Sequence, residues 1–168
     1  MEAVWYDGPS GGEHLHDPSA EWMRDVMRRG DDYWGPYSPV GTLAWHTEPT
    51  AGSGIGTVTQ LAQLLFIRHP EHGWYFEFST SGRFDNLCLV AIDRSADQQR
   101  WVKHWACGEE VYLMAACFVG QRVAEEVVTG FLVSPQPSAA VSWAPFEGLT
   151  PRLDPDEYGR RHHSPQPD

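Results

Sequence analysis

Hydrophobic and polar positions follow two different periods along this chain, and the clearest change from one to the other falls between Glu110 and Trp143. Val111 to Phe118 is a short apolar run rich in β-branched and aromatic residues, which predicts a buried strand. Beyond Val119 the apolar positions are Val123, Ala124, Val127, Val128, Phe131 and Leu132, a stripe that repeats with helical spacing. Gln121, Arg122, Glu125, Glu126 and Thr129 fall on the opposite side, so Glu125 and Glu126 are expected on a solvated helix face. Ser134, Pro135 and Pro137 end the helix, because proline has no amide proton and drives its predecessor toward extended backbone. Ala139 to Trp143 reads as a second short strand, and this strand, helix, strand unit is the expected core.

Upstream, Trp22, Met23, Val26 and Met27 share one side of a helix over residues 19–29, with Asp17 and Pro18 before it and Gly30 after it. Residues 31–39 are aromatic and turn-rich and are expected as an ordered loop against the core. Gly41 to His46 alternates as a strand with Leu43 and Trp45 on one face. Thr57 and Gln60 have capping-box spacing, which predicts a helix from Thr57 to about Arg68 that buries Val58, Leu61, Leu64, Leu65 and Ile67. Trp74, Phe76 and Phe78 alternate with Tyr75, Glu77 and Ser79; a turn at 80–85 and the apolar Leu87 to Ile92 complete a hairpin. Residues 93–108 read either as a short helix or as a loop that re-enters the sheet. The expected fold is α+β: a mostly antiparallel sheet of about five strands with two or three helices packed on it. Residues 1–40 form an N-terminal helical and aromatic segment on the core, 41–147 the α+β domain, and 148–168 an irregular tail.

Composition narrows the class. A chain of 168 residues is expected to form one domain, and 41% hydrophobic content with eight Trp excludes an intrinsically disordered chain. No apolar run approaches the roughly 20 residues of a membrane span, and the N-terminus lacks the basic start and apolar stretch of a secretion signal. Cys88, Cys107 and Cys117 are scattered and odd in number, which suits reduced thiols and a cytoplasmic location. The formal net charge is −11, and Lys103 is the single lysine. Such a balance repels phosphate backbones, so direct nucleic-acid binding is not expected, and it favours a basic partner or simply solubility.

Familiar catalytic patterns are missing from the sequence. Gly52, Gly54 and Gly56 precede a predicted helix, but Thr57 stands where the dinucleotide pattern needs glycine and no Gly-Lys pair marks a phosphate loop. His14 with His16, His69 with His72, and His162 with His163 lack the i, i+4 spacing or accompanying cysteines of common zinc sites, so neither metal nor cofactor is expected. There is no GxSxG nucleophile elbow and no HxE with PCxxC deaminase pairing. What remains is a surface: Trp101, Trp105, Glu109 and Glu110 lie close in sequence to Asp93 and Asp97, and aromatic anchors rimmed by acids suit an interface with a basic protein. The competing reading is that both Trp residues fill the core.

The segment from Leu64 to Trp143, with HPEHGWYFEF, NLCLVAID, GEEVYL and VAEEVVTGFL in that order before a strand closing on Trp143, resembles the first numbered immunity-protein family of bacterial polymorphic toxin systems. That resemblance implies an α+β protein without catalytic activity that binds and neutralises a cognate toxin, often a nucleic-acid deaminase or nuclease. Asp93, Asp97, Trp101, Trp105, Glu109 and Glu110 are the expected partner-binding residues. Two alternatives stand beside it: an enzyme using His46, His69 or His104 with nearby acids, and a regulatory interaction module with no toxin partner.

Overall fold

The computed structural model describes residues 2–9, 13–35, 40–47, 59–80, 87–97, 99–106 and 109–149. In chain order these form β1 (Glu2–Asp7), β2 (His14–His16), α1 (Ala20–Arg28), α2 (Asp31–Trp34), β3 (Val40–Thr47), β4 (Thr59–His69), β5 (Gly73–Thr80) and β6 (Cys88–Ile92). There follow β7 (Trp101–Ala106), β8 (Glu109–Met114), β9 (Phe118–Val119), α3 (Gln121–Val133) and β10 (Ser142–Pro145). The fold is α+β with antiparallel pairing throughout, but the main sheet has eight strands where about five were expected. Its order is β10-β6-β5-β4-β3-β1-β2, with β9 pairing beside β5, and β7 and β8 form a separate two-stranded sheet.

Strand β4 corrects the helix expected over 57–68. Ala62, Leu64 and Phe66 lie on one face, and Ile67 is buried on the other. A strand covered on both faces is nearly continuously apolar, and that run also satisfies helical spacing, so periodicity alone does not separate the two. Of the supposed capping box, Thr57 lies outside the described residues and Gln60 is in β4, opposite His46. The extra sheet strands come largely from the N-terminus, where Val4 and Tyr6 of β1 turn inward and pair with β3 opposite Trp45 and Leu43. The run 111–118 is likewise not one strand: β8 ends at Met114, a 3-10 turn spans Ala115–Cys117, and β9 resumes in the main sheet. The short strand expected at Ala139–Trp143 is displaced to Ser142–Pro145, where it edges β6.

Two apolar layers follow from the alternation. One sheet face, carrying Tyr6, Leu43, Leu64, Phe66, Trp74, Phe76 and Phe78, packs on Met23, Val26 and Met27 of α1 and Ala124, Val127, Val128 and Phe131 of α3. Residue 34, expected in a loop against the core, is the last of α2, and its indole is buried at 4.9 Å from Trp74. The other face, with Ile67, Tyr75 and Val90, is covered by Val102 and Leu113 of the β7–β8 hairpin and by Phe118.

The helices start and meet as their sequences require. Ser19 has extended backbone, and its Oγ accepts a hydrogen bond from Trp22 N at 3.1 Å, a side-chain cap on an amide the helix cannot itself satisfy. Ser19→Ala is expected to lower stability by about 1 kcal/mol, read from the urea midpoint, and an unchanged midpoint would show that the cap contributes nothing. Glu125 is not on a solvated face: its carboxylate takes a two-pronged pair from Arg28 of α1, at 2.8 and 2.7 Å. Hydrogen bonding from Arg28 is the main reason that Glu125 is held below the usual carboxylate range. Glu126 faces outward and pairs with Arg122 one turn back.

Candidate functional site

Residues 93–100 form the approach to the hairpin and are organised by their own carboxylates. Asp93 Oδ1 accepts from Ser95 N at 2.9 Å and Ser95 Oγ at 2.6 Å, and these bonds hold the Asp93 carboxyl below its ordinary value. Asp97 Oδ1 accepts from Gln99 N at 2.8 Å. The base of the hairpin is tied to this loop by Asp93 N to Ala116 O at 2.7 Å and Ala115 N to Arg100 O at 2.8 Å. Of residues 93–108, those described are a turn-rich loop followed by strand β7, which pairs with β8 and not with the main sheet.

The six residues expected at a partner surface fall on this one unit. Asp93 is half-buried and Asp97 exposed in the loop, and Trp101 opens β7 half-buried, opposite Met114. Trp105 pairs with Glu110 and Ala106 with Glu109 at the far end of the hairpin; the side chains of Trp105, Glu109 and Glu110 lie outside the described residues. Trp105 is four positions along the strand from Trp101, a span of roughly 13 Å, so the unit is elongated. Exposed Arg94 and Arg100 share the loop with Asp93 and Asp97, so its local charge is balanced and any attraction to a basic partner comes from the chain as a whole.

A cleft of about 400 Å³ opens beside the loop, between Asp93, Arg94 and Ser95, the start of α3 at Gly120 and Val123, and Ser142 on β10. Sequence reasoning did not assemble it, because its walls come from three segments separated by about 20 residues each; the only local signal was the glycine before the helical stripe.

The histidines set aside for acid-base chemistry are only partly brought together. His46 pairs with Gln60 at the opposite end of β4 from His69, nine residues or roughly 30 Å away along the strand. His69 and His104 do meet, with ring centroids 5.5 Å apart, and the His72 ring lies tilted at 4.6 Å from His69. Phe118 closes the group at 5.4 Å from His69 and 6.0 Å from His104. His69 Nδ1 accepts from the amides of Glu71 and His72, each at 3.1 Å, so its proton sits on Nε2 and is donated to Lys103 O at 3.2 Å. Both ring nitrogens of His69 are therefore engaged, Nδ1 as acceptor and Nε2 as donor, which leaves no lone pair to give a metal. Among the described residues no three His, Cys, Asp or Glu side chains are arranged to hold a metal ion.

His104 is 4% exposed, and its Nε2 has no hydrogen-bond partner among the described residues. Burial, reinforced by His69, pushes its pKa down to about 4, so it is neutral at pH 7. The thiols are similarly passive: burial first, then Glu77, pushes Cys88 up to about 11, and burial pushes Cys117 up to about 11. Neither is a thiolate at neutral pH.

No protein-family model matches the chain, and no curated protein is similar to it in sequence. The resemblance to the immunity family therefore rests on the quoted segments alone. Those segments are the turn and strand of β5, then β6, β8 and α3, with the preceding apolar segment a strand. Among the described residues no helix is long and apolar enough to cross a membrane.

Proposed function

We propose that this protein is a non-catalytic immunity protein that binds a cognate, nucleic-acid-directed bacterial toxin and covers its basic active-site surface. The observation that carries this reading is the pairing of a net charge of −11 with one elongated unit, the β7–β8 hairpin and its approach loop, that presents Trp101, Asp97 and Lys103 away from the sheet's helical layer. A toxin that holds phosphates needs a positive surface, and an acidic protein approaches such a surface quickly because long-range attraction raises the encounter rate. Aromatic side chains at the centre of such a contact then supply most of the affinity.

Protection is the first test: cells expressing the toxin encoded beside this chain should survive only when the chain is co-produced. Two variants locate the interface. Trp101→Ala is expected to weaken binding by about 30-fold or more, the effect of losing an aromatic anchor. Asp93→Asn combined with Asp97→Asn keeps the loop's acceptor oxygens and should slow association several-fold at low salt only, read by surface plasmon resonance. Unchanged kinetics in both variants, each checked for native melting behaviour, would move the interface off this hairpin. Turnover of a small molecule that is lost on replacing a single histidine would favour the enzyme alternative instead.

A further inference from the structure

We propose that the β7–β8 hairpin is an acid-released flap, docked on the main sheet while His104 and His69 are neutral and let go when they take up protons. This inference concerns how the hairpin is held and stands whatever the hairpin binds.

The hairpin is a separate sheet, so no strand ladder joins it to the main sheet over its length. It is held by apolar packing of Val102 and Leu113 on Ile67, Tyr75 and Val90, by the Asp93 N to Ala116 O bond at its base, and by the bond from His69 Nε2 to Lys103 O. His104 lies on the inner side of that seam, against His69 and Phe118, with a ring nitrogen that has no partner among the described residues. A proton added to His104 would place a charge in an apolar seam beside a second imidazole. A proton added to His69 must go on Nδ1, which removes the acceptor for both turn amides of Glu71 and His72.

Among the described residues the titratable and charged groups on the surrounding elements do not offset this; Glu77 of β5 is taken up with Tyr75 and Cys88. His69 ends β4; Glu71 and His72 occupy the turn; Tyr75 is on β5 and Cys117 precedes β9. Tyr75 and Cys117 are both pushed upward by burial and stay neutral through the acid range. Lys103, next to His104 on β7, is exposed and of like charge to a protonated imidazole, and Glu71, also exposed, is the weakest of the influences on His69. The same burial that lowers His104 to about 4 lowers His69 below its ordinary value.

The sign follows from proton uptake. The open form has an ordinary imidazole near pH 6.5 and binds a proton that the closed form refuses, so closure is fully favoured above that pH and weakens as pH falls toward 4. For His104 alone the ratio of closed to open forms should fall about tenfold between pH 7.5 and 5.5, and His69 adds to it.

Amide hydrogen exchange on the whole protein at micromolar concentration tests this, each rate expressed as a protection factor to remove intrinsic pH dependence. From pH 7.5 to 5.5, above the isoelectric point near 5.0, protection in 101–106 and 109–114 should fall about tenfold or more while Leu64, Phe66, Phe76 and Phe78 keep theirs. In His104→Phe the hairpin should lose most of that pH dependence. In parallel, the His104 ring in the wild type should remain neutral by NMR at pH 5.5 in the closed form. Constant hairpin protection, equal loss in hairpin and main sheet, an undiminished tenfold loss in His104→Phe, or a His104 ring that charges near pH 6.5 with the hairpin still protected would each overturn the proposal.

Discussion

Gly73→Ala should lower the thermal unfolding midpoint by roughly 10 °C, the largest single-atom effect expected in this protein. Gly73 begins β5 at φ +95°, where an L side chain is strained, and an added Cβ would stand 2.3 Å from the carbonyl oxygen of Val119. The neighbour is backbone, so no side-chain rotation relieves the clash. Relief requires β9 to separate from β5, breaking the Trp74 to Val119 and Tyr75 to Phe118 pairings. That movement would displace both the start of α3 at Gly120 and Phe118, which packs against His69 and His104. Backbone strain of about 1–3 kcal/mol and overpacking of about 1–3 kcal/mol together approach the lower end of total domain stability. A melt monitored by circular dichroism within about 3 °C of wild type would show that Gly73 does not hold this conformation.

Phe66→Ala should cost roughly 3–5 kcal/mol, read from urea unfolding. The Phe66 ring is fully buried in the middle of β4 and packs with Tyr6, Trp34, Trp74 and Phe76, so its removal leaves a cavity walled by four large side chains that have little room to collapse. A paired substitution checks the geometry more closely. A Cβ at Gly41 would lie 2.7 Å from Phe66 Cε2 and 2.9 Å from Cζ, so Gly41→Ala alone should be destabilising. Leucine lacks those two atoms, and Gly41→Ala with Phe66→Leu should be less destabilised than the sum of the singles by about 1 kcal/mol. Strict additivity would argue that the two positions do not touch.

What could be read along the chain was a set of segments with a marked apolar face, though not β1, whose Val4 and Tyr6 also turn inward. Helices α1 and α3 each showed a single apolar stripe, of which Met23, Val26, Met27, Ala124, Val127, Val128 and Phe131 are buried and Trp22, Val123 and Leu132 half-buried. Strands β3 and β5 showed alternation, and Leu43, Trp74, Phe76 and Phe78 are buried on the face it marks. Strand β4 was misread because Leu64, Phe66 and Ile67 serve opposite faces, so alternation vanishes where both sides are covered. The edge strand β2 spans three residues, His14–His16, too few for any period to register. The residues expected at a partner surface could be grouped from the sequence because they are close along the chain, whereas the balancing of Asp93 and Asp97 by Arg94 and Arg100 mattered only once the loop's exposure was known.

By itself, then, the order of residues determined the α+β class, the two amphipathic helices, the aromatic strand at β5 and the acidic charge. Those are properties of one segment or of the sum of all segments. Tertiary structure alone decided that β4 is the middle of an eight-stranded sheet, that β7 and β8 stand apart from it, and that His69, His72 and His104 meet around Phe118. Backbone pairing and desolvation depend on what lies across a strand or above a ring, and residues 69 and 104 are separated by 35 positions that carry no local sign of their meeting.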